Sequence, residues 1–345
     1  MILHLCVLQK FIEPFYSFVK DNFGDFSERH LFYINRNSLG YRMPGGDNIY
    51  LAQAHEPYAR YIWLIKQMNQ AEKIILHSLG DYRVLQLLAA QPWLLKKCYW
   101  VIWGADLYTY QFGTRNLAWR RRELFRRYII KRIGHFITHV KGDFELAKQW
   151  YGARGIWHEC FMYPSNLYHE YPIEQMPHDG INILVGNSAD PSNNHIEVLE
   201  SLRIYASKNI CIYCPLSYGD TVYASKVANC GQSLFGTKFV AMRDFISHDK
   251  YLDFLAQIDI AIFNHRRQQG MGNITTLLGF GKKVYIRNDV TSWHFFRHLG
   301  VQINDVKSAD LTRIKVDDAR RNNIIIADYF SVVNLRRQWN LIYGQ

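Results

Sequence analysis

No run of about 20 uninterrupted apolar residues, the length of a membrane-spanning helix, occurs in the sequence, so a chain that crosses a bilayer is not expected. The apolar opening Met1 to Leu8 has neither a basic leader nor a small-residue cleavage site, which argues against a secretory signal and for a buried first strand. Cysteine is sparse. The six residues at 6, 98, 160, 211, 214 and 230 lie mostly inside apolar runs, as reduced thiols of a cytoplasmic protein do, and not as a disulfide framework. Cys211 and Cys214 form a Cys-x-x-Cys, but in a strand-like segment where their side chains point to opposite faces, and no second Cys or His pair stands at ligand spacing. No Asp-x-Asp pair follows a strand of the first half to clamp a divalent ion against a diphosphate, so neither a metal nor another cofactor is expected. Walker A and the dinucleotide-binding glycine pattern are both missing. Acidic residues are outnumbered, 30 against 41 basic, and the net charge of +11 asks for an anionic partner: nucleic acid, an anionic membrane surface or a phosphorylated substrate.

What is present in quantity is apolar side chain, 48% of a 345-residue chain, which exceeds the size at which one core usually stops growing and predicts two domains. Short β-rich runs alternate with helical patterns, the signature of βαβ units and parallel sheets. In the first half the strands are read at 2–8, 31–34, 73–77, 99–103, 135–138 and 158–161, with helices such as 83–91 and 143–151; in the second half the strands are 181–185, 210–214, 238–241, 258–263 and 283–287. A polar, proline-bearing stretch from Tyr163 to Gly180 lacks periodicity and marks the boundary. The expected organisation is a Rossmann-like domain over 1–172, a second Rossmann-like domain over 173–325, and a C-terminal helix over 326–345 packing back on the first. Two doubly wound domains facing one another would bind ligands in a cleft at the carboxyl ends of their strands.

The second domain opens with Asn182-Ile-Leu-Val-Gly-Asn-Ser188, then Asn194 and His195 at the head of a helix. A strand ending in Gly186, Asn187 and Ser188 before a capped helix offers backbone N–H groups to an anion such as a diphosphate. The same residues also suit an ordinary strand-to-helix turn with Ser192 as N-cap. Further on, Arg266, Arg267, Gln268, Gln269, Gly270, Gly272 and Asn273 lie between a strand and a helix: glycines clear space, arginines pair with an anion, and amides bind hydroxyls. Tyr218, in a turn after the second strand of this domain, either closes over the base or a phosphate or belongs to a simple turn. In the first domain the strand ending Trp103-Gly-Ala-Asp106 delivers Asp106 as a candidate base for an attacking hydroxyl, or as a helix cap. His77 ends another strand and is the alternative base, or orients the acceptor; Asp81 starts the next helix.

The stretch from Arg115 to Arg132 is basic and helical. Leu117, Leu124, Phe125, Tyr128, Ile129 and Ile133 fall on one side, which is read as packing on the sheet; Arg120, Arg121, Arg122, Arg126 and Arg127 belong to a cationic face for an anionic membrane surface, attracted without insertion. A solvated basic face on a core-packed helix is the plainer alternative.

Trp103-Gly-Ala-Asp-Leu-Tyr108, Ile183-Leu-Val-Gly-Asn-Ser188 with Asn194-His195, and Arg267-Gln-Gln-Gly-Met-Gly272 resemble glycosyltransferase family 56, the dTDP-Fuc4NAc:lipid II transferase family of enterobacterial common antigen and O-antigen synthesis. The likeness runs from about Lys73 to Trp293; the family's glycine after the strand-ending histidine is Ser78 here, and Asn-Ile-Thr-Thr follows Gly272. The resemblance implies a GT-B fold, α/β with two Rossmann-like domains, a nucleotide-sugar donor in the second domain and a polyprenyl-diphosphate-linked glycan acceptor in the first. It puts Asp106 and His77 in the cleft and the 186–188 and 268–272 residues around the donor. A metal-independent hexosyltransferase, peripheral on the inner face of the bacterial inner membrane, is the expectation; a UDP-sugar transferase of O-antigen assembly is the alternative. No nucleic-acid-binding module appears, and a nucleic-acid partner is not expected.

Overall fold

In the computed structural model of the chain, all residues are described except 36–40, 42, 53–56, 172–177 and 345. The chain divides into two units, Met1–Ser165 with Val332–Gln345, and Asn166–Ser331. The expected break between 172 and 173 lies outside the described residues.

The strands of the first unit are near-continuous apolar runs because a parallel sheet is covered by helices on both faces. They are β1 (Ile2–Val7), β2 (His30–Asn35), β3 (Ile49–Ala52), β4 (Lys73–His77), β5 (Cys98–Val101), β6 (His135–Ile137) and β7 (Ile156–His158). Their order across the sheet is β3-β2-β1-β4-β5-β6-β7, all parallel, and Leu3 of β1 pairs with Leu31 on one side and Ile74 on the other. The apolar N-terminus is therefore a central strand, buried along five of its six residues.

The second unit repeats the plan with β8 (Ile181–Val185), β9 (Ile210–Pro215), β10 (Phe239–Met242), β11 (Ile260–Phe263), β12 (Lys283–Ile286) and β13 (Asn304–Asp305), ordered β10-β9-β8-β11-β12-β13. Numbered within each unit, the first six strands of both sheets run 3-2-1-4-5-6, the Rossmann order. In that order the chain reverses direction beside the first strand, so the loops after β8 and β11 in one unit, and after β1 and β4 in the other, flank a switch point where α/β sheets bind ligands.

Three elements differ from the sequence reading. The edge strands β3 and β13 have four and two residues, too few for a periodic signal. The strand read at 158–161 is instead β7, Ile156–His158, because Cys160 and Phe161 are buried in the connection after the sheet and look as apolar as a strand.

The C-terminal helix Val332–Tyr343 is part of the first unit. It buries Leu335, Gln338, Trp339, Ile342 and Tyr343. Trp339 Nε1 donates to the Met162 carbonyl at 2.9 Å, Gln338 Oε1 accepts from the Phe161 amide at 3.0 Å, and Lys73 Nζ reaches the Ile342 carbonyl at 2.8 Å. The helix thus closes the hydrogen bonds of the segment that leaves β7. Replacing Trp339 with Ala empties a fully buried site and is expected to lower stability by about 3–5 kcal/mol in urea unfolding; a loss under about 1 kcal/mol would show that the helix is not integral to this unit.

Candidate functional site

The loops at the carboxyl ends of β8 and β11 are joined by side chains. After β8, Gly186 has φ +70°, a conformation a side chain rarely tolerates, and a Cβ there would lie 2.3 Å from His195 Nε2 and 2.9 Å from Asn193 Oδ1. Gly270 has φ +68°, and a Cβ there would come within 2.9 Å of His265 Cε1 and 3.2 Å of Asn187 Oδ1. Both turns need glycine, since they bring backbone against packed rings and amides. Asn193 is the hub. Its Oδ1 accepts from the Asn187 amide at 3.0 Å and faces His265 Nε2 at 2.9 Å, while its Nδ2 donates to the Asp190 carbonyl at 3.1 Å. Ser192 Oγ donates to Gln269 Oε1 at 2.7 Å, Asn194 Nδ2 to the Asn264 carbonyl at 3.2 Å, and the Arg266 amide to the Ser192 carbonyl at 3.0 Å.

The other residues singled out in this unit join the same loops. Ser188, buried, accepts from Gln269 Nε2 at 3.4 Å. Asn187 Nδ2 donates to the Tyr218 hydroxyl at 3.1 Å, which ties in the loop after β9. Arg267 pairs with Asp190 at 3.3 Å and also donates to the Gln268 carbonyl, whereas Arg266 is exposed. Asn273 Nδ2 donates to the Tyr251 hydroxyl at 2.9 Å, and Gly272 has open space where a side chain would stand. The helices His195–Leu202 and Met271–Gly279 begin at these loops, so two sets of helix-start amides stand beside the exposed Arg266 and the Asp190-paired Arg267, groups of the kind that suit an anion. Three buried polar atoms here have no partner: Asn187 Oδ1, His195 Nε2 and Asn264 Nδ2. Unsatisfied buried groups are rare in folded proteins, and these three stand together beside the two helix starts. Burial pushes His195 down to about 4 and keeps it neutral.

In the first unit, Asp106 is buried and its carboxylate is fully engaged. Oδ2 accepts from the Leu79 amide at 3.1 Å and Trp100 Nε1 at 2.8 Å; Oδ1 accepts from the Trp103 amide at 3.1 Å and the Leu107 amide at 3.0 Å. Four donors occupy the four lone-pair directions of a carboxylate, which leaves none for an acceptor hydroxyl. Asp106 therefore pins the loop after β4 to the loop after β5. His77 is also enclosed: Nδ1 lies 2.7 Å from the Tyr163 hydroxyl, which accepts from Trp103 Nε1 at 2.8 Å, and Nε2 lies 3.1 Å from His4 Nδ1. His4 Nε2 continues the chain to His30 Nδ1 at 3.0 Å. Burial lowers His77 to about 3 and His30 to about 4. Both sequence-derived base candidates are thus buried connectors, and Asp81, the N-cap of Tyr82–Ala90, remains partly exposed beside them with Asn35 Nδ2 on its Oδ2 at 2.6 Å. Ser78, where the family has glycine, adopts φ +79° and accepts from the Gly80 amide at 3.1 Å, so its hydroxyl supports a turn its Cβ disfavours.

Residues 14–339 match the family described as 4-alpha-L-fucosyltransferase, glycosyl transferase group 56. The chain belongs to glycosyltransferase family 56. Among solved structures it is similar over 99% of its length to a glycosyltransferase from Rickettsia africae (97% of that chain, 13% identity, TM-score 0.64). It is similar, also over 99%, to HepE of Anabaena, solved with UDP and glucose (99% of that chain, 13% identity, TM-score 0.67). WaaG, a glycosyltransferase involved in lipopolysaccharide biosynthesis, matches over 98% of this chain and 93% of its own at 11% identity, TM-score 0.56. The fold is GT-B, with two parallel-sheet α/β domains, and a family 56 enzyme binds a nucleotide-sugar donor and a glycan acceptor.

One helix of this family 56 chain departs in part from the sequence reading: Phe125, Ile129 and Ile133 pack inward as read, but Leu117, Leu124 and Tyr128 do not. The helix Leu117–Ile130 buries Glu123, Arg126, Ile129 and Ile130, while Leu117 is 64% and Leu124 71% exposed and Tyr128 is also on the outside. Arg126, read as part of a cationic face, points inward: its guanidinium donates to the Leu79 carbonyl at 3.3 Å and the Asp106 carbonyl at 2.5 Å, with Glu123 at 3.4 Å. That tertiary demand rotates the helix and turns Leu117, Arg121, Leu124 and Tyr128, spaced four, three and four apart, outward together. Arg120, Arg121, Arg122 and Arg127 are exposed around them. No helix among the described residues is long and apolar enough to cross a membrane.

Asn193, Asn264 and His265 escaped the sequence-derived candidates. The signal was there: Asn193-Asn194 between a glycine turn and a helix, and Asn264-His265 directly after an apolar strand. The engagement of Asp106 gives a test. Asp106→Asn turns an amide N–H₂ toward two of its four donors and should lower stability by about 2–4 kcal/mol in urea unfolding; full stability with abolished turnover would instead restore Asp106 as the base.

Proposed function

We propose that the chain transfers Fuc4NAc, or a closely similar deoxyamino sugar, from a dTDP-linked donor to an undecaprenyl-diphosphate-linked oligosaccharide in enterobacterial common antigen or O-antigen synthesis. The observation that carries the reading is the family 56 match across residues 14–339. The second unit supports a nucleotide-sugar donor, with its unpartnered Asn187, His195 and Asn264 atoms beside two helix starts. In this reading Arg266, Arg267 and the helix-start amides meet the charge of the departing nucleoside diphosphate, without a metal ion. The first unit takes the lipid-linked acceptor, with Asp106 and His77 holding its loops in place. The assay is transfer of Fuc4NAc to a polyprenyl-diphosphate disaccharide. Turnover should survive excess chelator, and Arg267→Gln should raise the donor KM by roughly 10–100-fold, the loss of one charge-assisted hydrogen bond. Transfer from UDP-sugars only, or loss of turnover on chelation, would overturn the donor assignment or the metal-free chemistry respectively.

The outward face of Leu117–Ile130 supports a location on the inner face of the bacterial inner membrane. Leu117, Leu124 and Tyr128 are apolar groups amid exposed arginines, and the helix's one acid, Glu123, is buried. An anionic leaflet attracts each such cation by about 1 kcal/mol, and shallow insertion of the two leucines adds to it. Replacing Arg120, Arg121 and Arg122 by Gln should weaken binding to phosphatidylglycerol vesicles by on the order of 100-fold, and Leu117→Ser with Leu124→Ser should weaken it further; unchanged partitioning of both variants would dispose of this face as the docking surface.

A further inference from the structure

His265 follows β11 directly and is buried, with its ring 5.3 Å from that of Phe263. Each ring nitrogen faces an oxygen that only accepts. Nδ1 is 3.1 Å from the Gln269 backbone carbonyl, and Nε2 is 2.9 Å from Asn193 Oδ1. The Asn193 amide cannot turn over to help. Its Oδ1 already accepts from the Asn187 amide and its Nδ2 donates to the Asp190 carbonyl, so the flipped amide would set donor against donor and acceptor against acceptor. A neutral imidazole carries one N–H and can satisfy one of these oxygens; an imidazolium satisfies both.

In the free protein, burial is the largest influence and holds His265 near 3. The hydrogen bond to the Gln269 carbonyl favours the proton, and of the charged and titratable groups around the ring the two that oppose it outweigh the one that favours it. Asp190, from the loop after β8, favours the proton; His195, at its helix start, and Arg267, in the same loop, oppose it. The loop after β9 brings the Tyr218 hydroxyl, bonded to Asn187, and the helix Met271–Gly279 has no titratable side chain. That helix starts over the ring, since a Cβ on Gly270 would lie 2.9 Å from His265 Cε1. An anion seated on the amides there would be a near neighbour of the imidazole. Two negative charges about 5 Å away, at an effective dielectric near 20, suffice to carry such a group into the neutral range.

We propose that His265 takes up one proton from solvent when the donor's diphosphate seats on these loops, and that the imidazolium then donates to both Gln269 and Asn193, joining the loops after β8 and β11 around the ligand. His265 acts here as a positioning residue, and the inference rests on the reading of these loops as the donor site. The uptake makes binding tighten as pH falls: between the free and bound titration ranges each added proton equivalent favours the complex.

The experiment is calorimetric titration of the intact protein with dTDP-Fuc4NAc, dTDP-glucose and UDP-glucose, whose diphosphates have no proton that titrates near neutrality, in buffers of different ionisation heat. Close to one proton should be taken up per ligand near pH 6, and Kd should rise about tenfold per pH unit from 5.5 to 7. His265→Gln should bind with no uptake and a flat pH profile. Asn193→Asp supplies a carboxylate that keeps the ring charged in the free protein, so its uptake should also vanish while binding persists. Binding without uptake in the unaltered protein, or with equal uptake in His265→Gln, overturns this inference alone. Absence of binding by all three sugar nucleotides overturns the donor reading and this inference with it.

Discussion

The side-chain amide of Asn193 holds the second unit's ligand edge together. It contacts the loop it sits in, through the Asn187 amide and the Asp190 carbonyl, and the neighbouring loop, through His265. Because it is wholly buried, each of those bonds forms away from water, where leaving one unmade costs more than making it gains. The constraint propagates. Gly186 must have no side chain so that His195 and Asn193 can close over it, Gly270 must have none so that His265 and Asn187 can approach, and both helix starts are aimed as a result.

The first unit uses a charged version of the same device. Asp106 accepts from the loops after β4 and β5, and Arg126 donates back to carbonyls of both, so an acid and a base on different helices bind two loops without touching each other's charge directly. Beside it the Trp103–Tyr163–His77–His4 chain passes hydrogen bonds from a half-buried ring through three buried ones. Buried polar groups of this kind are tolerated only when satisfied, so within a core that includes Leu79, Trp100 and Leu107 they fix the two loops relative to each other. The price elsewhere is a helix that exposes Leu117 and Leu124 because Arg126 is required inside.

Much of this was legible in the order of the residues. Parallel strands are covered on both faces, so β1, β4, β8 and β11 read as plain apolar runs, and ligand loops follow strands of that kind. Gly186 and Gly270 stood out because a glycine between an apolar strand and a helix is seldom accidental. The short edges β3 and β13 did not stand out, since two to four residues hold no period. Nor did the role of Asp106: it lies in the first turn of the helix Ala105–Phe112, five residues past the end of β5, and that position suits both a base with free lone pairs and a connector with none.

The sequence alone determined the fold class, the two-unit plan, the glycine turns at the strand ends and the family to which the chain belongs, because apolar periodicity and glycine placement are local properties written in consecutive residues. Tertiary structure alone decided which polar groups are spent on holding those loops, which way the basic helix faces, and which atoms are left unpartnered. Hydrogen-bond partners such as Asn193 and His265 stand 72 residues apart, and no local pattern records whether a donor or acceptor has been satisfied.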